Sequence, residues 1–240
     1  MKSKKLGVIG GMGPMATSMF LEKLILNTVA DRDQDHVDTV ILNHASIPDR
    51  TEAILNHTGQ DFLKEIDKDI KILEYAGVEN IAIPCNTSHY FYNDMQAMTD
   101  IPIINMVEKT VEHIYQTFGK DCKVAILATK GTIKSEIYTE ACQQFNLEAY
   151  IPEESLQEII MDVIYQYKMG ISCEEKLEKV IDYCLSNEKV TCVILGCTEL
   201  SCINIPAEQK KSCIDPMDIL VEQSIRLSGK EVVRSLPRYK

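Results

Sequence analysis

The sequence predicts an α/β protein built as two pseudo-symmetric parallel-sheet domains, and three observations carry that prediction. Short apolar runs alternate with amphipathic stretches at helical spacing, the β-α-β pattern of a parallel sheet. Leu6-Gly7-Val8-Ile9 runs into the turn Gly10-Gly11-Met12-Gly13-Pro14, and Lys123-Val124-Ala125-Ile126-Leu127 runs likewise into Ala128-Thr129-Lys130-Gly131-Thr132, an offset of 118 between the turns (128 − 10). Ile81-Ala82-Ile83 leads into Pro84-Cys85-Asn86-Thr87-Ser88-His89, and Cys192-Val193-Ile194-Leu195 leads into Gly196-Cys197-Thr198-Glu199-Leu200, which sets the two cysteines 112 positions apart (197 − 85). Two similar offsets point to an internal duplication. A chain of 240 residues suits two domains of ordinary size.

The elements follow in order. After the first strand, Pro14 opens a helix over about 15–27 that buries Phe20, Leu24 and Ile25. Residues 36–42 supply a second strand, ending in Asn43-His44 and the loop Ile47-Pro48-Asp49-Arg50-Thr51. Arg50 thus lies beyond a strand's carboxyl end, where open α/β sheets bind ligands; a surface ion pair or a loop anchor is an equal reading. Phe62, Leu63, Ile66, Ile70 and Leu73 recur at helical spacing, and Gly77 stops that helix. Ile81-Ala82-Ile83 is a short buried strand with Cys85 at its tip, and Ile101-Pro102-Ile103-Ile104 is a further strand that Pro102 assigns to an edge. Val107, Val111, Ile114 and Phe118 form a linking helix closed by Gly119.

The second half repeats the order. Leu156, Ile159, Ile160, Val163, Ile164 and Tyr167 make an apolar helix stripe with Lys168-Met169-Gly170 at its end, where Lys168 suits the negative end of the helix dipole. Leu177, Val180, Ile181 and Leu185 give another helix, followed by the Cys197 strand and by Cys213-Ile214-Asp215-Pro216. The last helix, 217–227, exceeds what the second half needs and is expected to pack on the first. No stretch is linker-like. The expected domains are therefore 1–105 with 215–240, and 106–214, closely packed, with the active site in the cleft between them and both cysteine turns opening into it.

Composition limits the partners. A net charge of −11 and a pI near 5.0 argue against nucleic acid and anionic membrane surfaces and leave small molecules. The basic start, residues 1–5, is followed by an apolar run broken at once by glycines, a poor signal-peptide core. No run approaches the roughly 20 apolar residues of a membrane span, so the cytoplasm is the expected compartment. Nine cysteines, an odd number lying mostly in apolar stretches, read as reduced thiols. Without a C-x-x-C pair or a histidine at zinc-ligand spacing, no metal is expected. Cys122, Cys142, Cys173, Cys184, Cys192, Cys202 and Cys213 read as small buried or half-buried side chains.

Cys85 and Cys197 differ by position. Each is expected at a strand-to-helix turn, where exposed N–H groups and the positive end of a helix lower a thiol's pKa. Two thiols on opposite walls of a cleft suit removal of a proton from a tetrahedral carbon on one face and return from the other. A single base would return the proton to the face it came from, whereas a thiolate and a thiol exchange roles between directions, as an equilibrium constant near one demands.

At this point Gly10-Gly11-Met12-Gly13-Pro14, Pro84-Cys85-Asn86-Thr87-Ser88-His89 and Leu195-Gly196-Cys197-Thr198-Glu199-Leu200 together resemble the three signatures of the aspartate/glutamate racemase family, most closely its aspartate racemase branch. The resemblance spans nearly the whole chain. It implies two flavodoxin-like α/β domains and a cofactor-independent amino-acid racemase with Cys85 and Cys197 as acid and base. It also implies a homodimer acting on an acidic amino acid, aspartate with glutamate as a further candidate. In the same light Arg50 and Lys168 match the family's substrate cations for the side-chain carboxylate. Asn86, Thr87 and Thr198, with nearby backbone N–H groups, would hold the α-carboxylate, and Met12, Ser88 and Glu199 complete the expected substrate-binding set. Glu199 is expected to orient either the substrate ammonium or Cys197. Glutamate racemases carry an Asp-Ser pair after the first strand and a histidine two residues after the second cysteine; Gly11-Met12-Gly13 and Glu199 stand there here, which favours the aspartate branch.

Two readings compete. Gly11-Met12-Gly13-Pro14-Met15-Ala16 satisfies G-x-G-x-x-A after a strand, but a dinucleotide site wants an acid at the end of the second strand, which ends in Asn43-His44. A non-catalytic module binding acidic amino acids would have no need of both thiols. A pyridoxal-phosphate enzyme would need a Schiff-base lysine and a phosphate cup, and no convincing pair stands in the chain.

Overall fold

The computed structural model describes residues 3–233, and the chain divides into two compact units. Of the described residues, unit 1 holds 3–106 and 217–233, and unit 2 holds Val107–Pro216. Each is a parallel α/β sheet with helices on both faces.

In unit 1, β1 (Leu6–Gly10), β2 (Thr39–Asn43) and β3 (Asn80–Ala82) pair in the order β2-β1-β3. All five residues of β1 are buried, as a central strand covered on both faces must be. Its side chains alternate between two apolar layers. Leu6 and Val8 join Phe20 and Leu24 of α1 (Pro14–Asn27) and Met217, Leu220, Val221 and Ile225 of the last helix, Pro216–Leu227. Ile9 joins Ile54 of α2 (Arg50–Leu55) and Phe62, Ile66, Ile70 and Leu73 of α3 (Gly59–Tyr75). The short α4 (Tyr92–Gln96) lies on that second side, contributing Met95.

In unit 2, α5 (Met106–Phe118) leads into β4 (Lys123–Ala128), then α6 (Lys130–Lys134), α7 (Ile137–Gln144), β5 (Glu148–Tyr150), α8 (Glu154–Lys168), α9 (Glu174–Ser186), β6 (Cys192–Gly196), α10 (Ala207–Lys210) and β7 (Cys213–Ile214). The last helix, Pro216–Leu227, is α11. The strand order is β5-β4-β6-β7. Val124, Ile126 and Ala128 pack with α5 and α7, while Ala125 and Leu127 pack with α8 and α9, a strict alternation along β4. Both units thus place their first strand between their second and third, the topological content of the duplication seen in the sequence.

The structure also corrects several expectations. Ile25 is 47% exposed, because the buried face of α1 runs through Ala16, Phe20 and Leu24 and Ile25 lies about 100° round the helix. Ile159 is exposed beside buried Ile160 for the same reason. The second strand starts at Thr39 and not at 36, since Asp33–Asp35 form a 3-10 turn. The strand expected at 101–104 is reduced to a bridge: Ile81 N–H donates to the Pro102 carbonyl at 2.9 Å and Ile104 N–H to the Ile81 carbonyl at 2.8 Å. Pro102 has no N–H to extend the ladder. Residues 130–132, expected as a turn, begin α6, with the Thr129 hydroxyl capping the Thr132 N–H at 3.2 Å. Both α7 and β5 went unread. Among the described residues no helix is long and apolar enough to cross a membrane.

Candidate active site

The carboxyl ends of both sheets carry the candidate residues, as open α/β architecture favours. In unit 1, Cys85 follows β3 by three positions and is 5% exposed. Its backbone is tied on both sides. The Cys85 N–H donates to the Ile83 carbonyl at 2.8 Å, and its own carbonyl accepts from Ser88 Oγ at 2.7 Å and from His89 Nδ1 at 2.9 Å. His89 Nε2 lies 3.1 Å from the Met106 N–H and 3.3 Å from the Ile104 carbonyl, and acceptance of the shorter bond, from Met106, goes with a proton on Nδ1. Burial pushes the His89 pKa down, so the ring stays neutral, a strut holding Cys85. Ser88 is fully buried with its hydroxyl turned to the Cys85 carbonyl, and Asn86 and Thr87 are buried beside it.

The glycine turn beside them is closed on itself. Gly11 has φ +91°, and a Cβ there would stand 2.4 Å from the His44 carbonyl carbon. The Gly11 N–H donates to Thr17 Oγ1 at 2.8 Å, and that hydroxyl donates to the Gly13 carbonyl at 3.1 Å. The Gly11 N–H is therefore engaged within the turn. Met12 is 3% exposed, its side chain in the apolar layer with Ile9 and Ile47.

Arg50 is the first residue of α2 and not a loop residue, because Asp49 caps that helix by accepting the Glu52 N–H at 2.9 Å. Its Nη1 donates to the Pro48 carbonyl at 3.2 Å, its Nε is buried without a hydrogen-bond partner, and no described carboxylate lies within ion-pair distance. A neighbouring pair was missed in the sequence: Asp69 of α3, 4% exposed, holds His44 Nδ1 at 3.0 Å. Burial pushes the Asp69 carboxyl up, against the pull of His44. The available signal was an acid placed among Ile66, Ile70 and Leu73 on the apolar face of α3.

In unit 2, Cys197 follows β6 directly and is 6% exposed. Here the thiol itself is held: Sγ donates to Glu199 Oε2 at 2.9 Å. Glu199 Oε1 lies 3.5 Å from Lys168 Nζ at the last position of α8, and the Lys168 ammonium also sits 5.7 Å from the centre of the Tyr165 ring. The Glu199 side chain is 9% exposed and that of Lys168 43%. Burial pushes the Cys197 thiol well above its ordinary value, the Glu199 charge and its acceptance of the S–H add to this, and Lys168 opposes it. Thr198 is buried, and its carbonyl accepts from the Cys202 thiol at 3.2 Å.

The expected lowering of a thiol pKa by a following helix is overturned at Cys197. Only a three-residue 3-10 turn, Leu200–Cys202, follows it, too short to build a macrodipole, while burial and a carboxylate act in the other direction. At Cys85 the next element is likewise a 3-10 turn, Thr87–Phe91. All nine cysteines are thiols; Cys202 is partly exposed and the other eight are buried. Among the described residues no group of three or more His, Cys, Asp or Glu side chains is placed to hold a metal ion.

Comparison with known proteins gives the family. The model of the Asp/Glu/hydantoin racemase family matches residues 9–224. The broad specificity amino-acid racemase RacX of Bacillus subtilis (strain 168) is 27% identical over 228 residues, which cover 92% of this chain and 96% of RacX. Among solved structures, the Picrophilus torridus aspartate racemase superposes with a TM-score of 0.83 at 31% identity, covering 98% of this chain and 99% of that one. The glutamate racemase of Campylobacter jejuni subsp. jejuni shares the fold at a TM-score of 0.63 and 20% identity, over 96% of this chain and 88% of its own. With the family model spanning both cysteine turns, the chain belongs to the Asp/Glu/hydantoin racemase family and with it to the amino-acid racemases.

Proposed function

We propose that the protein interconverts L- and D-aspartate, with glutamate as a second substrate, by a cofactor-independent mechanism in which Cys85 and Cys197 act on opposite faces of the α-carbon. The observation that carries this reading is the repetition of a buried thiol just beyond the carboxyl end of the third strand in both units. In one direction Cys197 removes the α-proton and Cys85 supplies the other; in the reverse direction the roles exchange. The carbanion character that develops is spread onto the α-carboxylate, which Asn86, Thr87, Thr198 and adjacent backbone N–H groups would hold.

A dicarboxylic substrate is favoured by the cations available. Arg50, with a buried Nε lacking an acceptor and no carboxylate partner among the described residues, is suited to a side-chain carboxylate, and Lys168 is the second candidate. The similarity to an aspartate racemase supports aspartate, and that to a broad specificity racemase supports a wider range. The test is proton NMR of L-aspartate, and separately L-glutamate, in D2O with pure reduced protein and no added cofactor, followed by chiral chromatography. Loss of the α-proton signal with formation of the D-isomer is expected, faster for aspartate. Well-folded protein that exchanges neither α-proton would sink the proposal.

A further inference from the structure

An amino-acid substrate brings an ammonium group as well as carboxylates, and an ammonium taken out of water needs an acceptor. Three carboxylates are buried among the described residues, and each is engaged. Asp69 holds His44 at 3.0 Å, Glu199 reaches Cys197 through one oxygen and Lys168 through the other, and Asp215 accepts from Ser201 Oγ at 2.7 Å. A neutral acceptor stands ready instead. Gln157 of α8 is 5% exposed, its Nε2 donates to the Ala128 carbonyl at 2.8 Å, and its Oε1 is buried without a hydrogen-bond partner. The other side-chain oxygens in that condition among the described residues lie elsewhere: Ser3 and Asn80 at the amino ends of β1 and β3, and Gln209 on α10. We propose that Gln157 Oε1 accepts a hydrogen bond from the substrate's α-ammonium, beside Cys197. The inference rests on the reading that Cys197 acts at the α-carbon of an amino acid.

The sheet sets the place. Ala128 ends β4 and pairs in register with Gly196, which ends β6, so the residue that anchors Gln157 lies one strand spacing, about 4.8 Å, from the one preceding Cys197. This is the carboxyl edge at which open α/β sheets bind ligands. The anchor also sets the direction of the amide, since only its NH2 group can donate to a carbonyl and the oxygen must face away from Ala128. Leu156, Ile160, Val163 and Ile164 pack α8 against Ala125 and Leu127 of β4, and the Lys130 N–H donates to Met161 Sδ at 3.3 Å. The oxygen is thus presented by a fixed helix.

The duplication supplies a counterpart. In each unit the helix that follows the second strand carries a buried polar atom without a hydrogen-bond partner: Arg50 Nε on α2, a donor, and Gln157 Oε1 on α8, an acceptor. A carboxylate asks for the first and an ammonium for the second. The amide is also suited to its neighbour, because it holds an ammonium without adding negative charge near a thiol that burial and Glu199 already push up. A hydrogen bond accepted from the ammonium favours its charged form, and that charge acidifies the adjacent C–H.

The test reads binding apart from turnover. Isothermal titration calorimetry with L-aspartate, and with succinate, which has both carboxylates and no ammonium, is run on the unaltered protein, Gln157→Met and Gln157→Glu, each checked for its fold by circular dichroism. Gln157→Met keeps an unbranched side chain of good helix preference and removes the oxygen. It should weaken L-aspartate about tenfold, the effect of one hydrogen bond to a charged group, and shift succinate by less than about twofold. Gln157→Glu keeps an oxygen in place: burial favours its protonated form, whose O–H can replace Nε2 at the Ala128 carbonyl, and L-aspartate should bind within about threefold of its original affinity. A merely structural glutamine would not distinguish the two ligands. Equal weakening of both in folded Gln157→Met, or no change in either, overturns the proposal even if the protein racemises aspartate. Selective loss of L-aspartate in a protein that racemises nothing upholds the ammonium contact and refutes the racemase reading alone. Unaltered protein that binds neither ligand refutes the dicarboxylate reading and this one with it.

Discussion

The two cysteine turns occupy equivalent places in duplicated sheets, yet they are held by different means. In unit 1 the surroundings fix the backbone: Ser88 and His89 both donate to the Cys85 carbonyl and leave the sulfur to its neighbours. In unit 2 they fix the proton, since Glu199 accepts directly from Cys197 Sγ. Duplication preserves where a strand ends, because the sheet and its apolar layers dictate that. It does not preserve what surrounds the strand end, which a single side chain such as His89 or Glu199 can redefine.

The comparison breaks most completely if one thiol proves dispensable. Cys85→Ser and Cys197→Ser should each lower racemisation on the order of 10³-fold, read by chiral chromatography, because a hydroxyl is a far weaker acid at neutral pH. A variant retaining most of its activity would remove that cysteine from the chemistry.

Next comes a contrast of stability between the units. Leu220→Ala in α11 and Ile114→Ala in α5 each delete a fully buried side chain and should cost about 2–5 kcal/mol. Hydrogen exchange should show Leu220→Ala loosening the amides of β1 and β3, and Ile114→Ala those of β4 and β6. Equal loosening throughout would show that the two units unfold as one.

A pH titration sharpens the difference at Cys85. Burial holds the His89 pKa below its ordinary 6.5, so the unfolded chain binds a proton more readily than the folded one. Stability is then full above about pH 6.5 and falls as pH drops toward the lowered value, by up to about 1.4 kcal/mol per pH unit from this group. Urea midpoints of His89→Gln, compared with those of the unaltered protein between pH 7 and 5, should show a flatter decline. An unchanged slope would deny His89 its role as a neutral strut.

The smallest effects concern the helix caps. Asp49→Ala uncaps the helix that carries Arg50, and Thr129→Ala uncaps α6 in unit 2. Each should cost about 1 kcal/mol. Only Asp49→Ala should raise KM for a dicarboxylic amino acid, since only that cap positions the proposed carboxylate arginine.

The sheet strands were legible because β1, β4 and β6 are continuous apolar runs bounded by turn residues, the pattern of strands buried on both faces. Cys85 and Cys197 were legible as strand-end thiols. Less legible were features set by contact across the fold. Arg50 in helical geometry depends on the Asp49 cap, which the preceding Pro48 disguised as loop. The three-residue β5 is half exposed and has too little apolar content to announce itself. Glu199 was left open between two partners in the sequence, and only the direction of its side chain brings it to Cys197. The sign of the Cys197 shift could not be read from position, because the expected helix end is a single 3-10 turn and the deciding carboxylate lies two residues on.

The last helix has a consequence for biosynthesis. The helix after β7, α11, completes the core of unit 1, whereas the helix after the Ile103 bridge, α5, packs in unit 2. Each half of the chain therefore lends its closing helix to the other's core. On the ribosome unit 2, contiguous from Val107 to Pro216, is complete before unit 1, although unit 1 began to emerge first. The nascent amino-terminal half must wait with one face of its sheet half covered until Met217, Leu220, Val221 and Ile225 leave the exit tunnel, an interval in which a chaperone would find it.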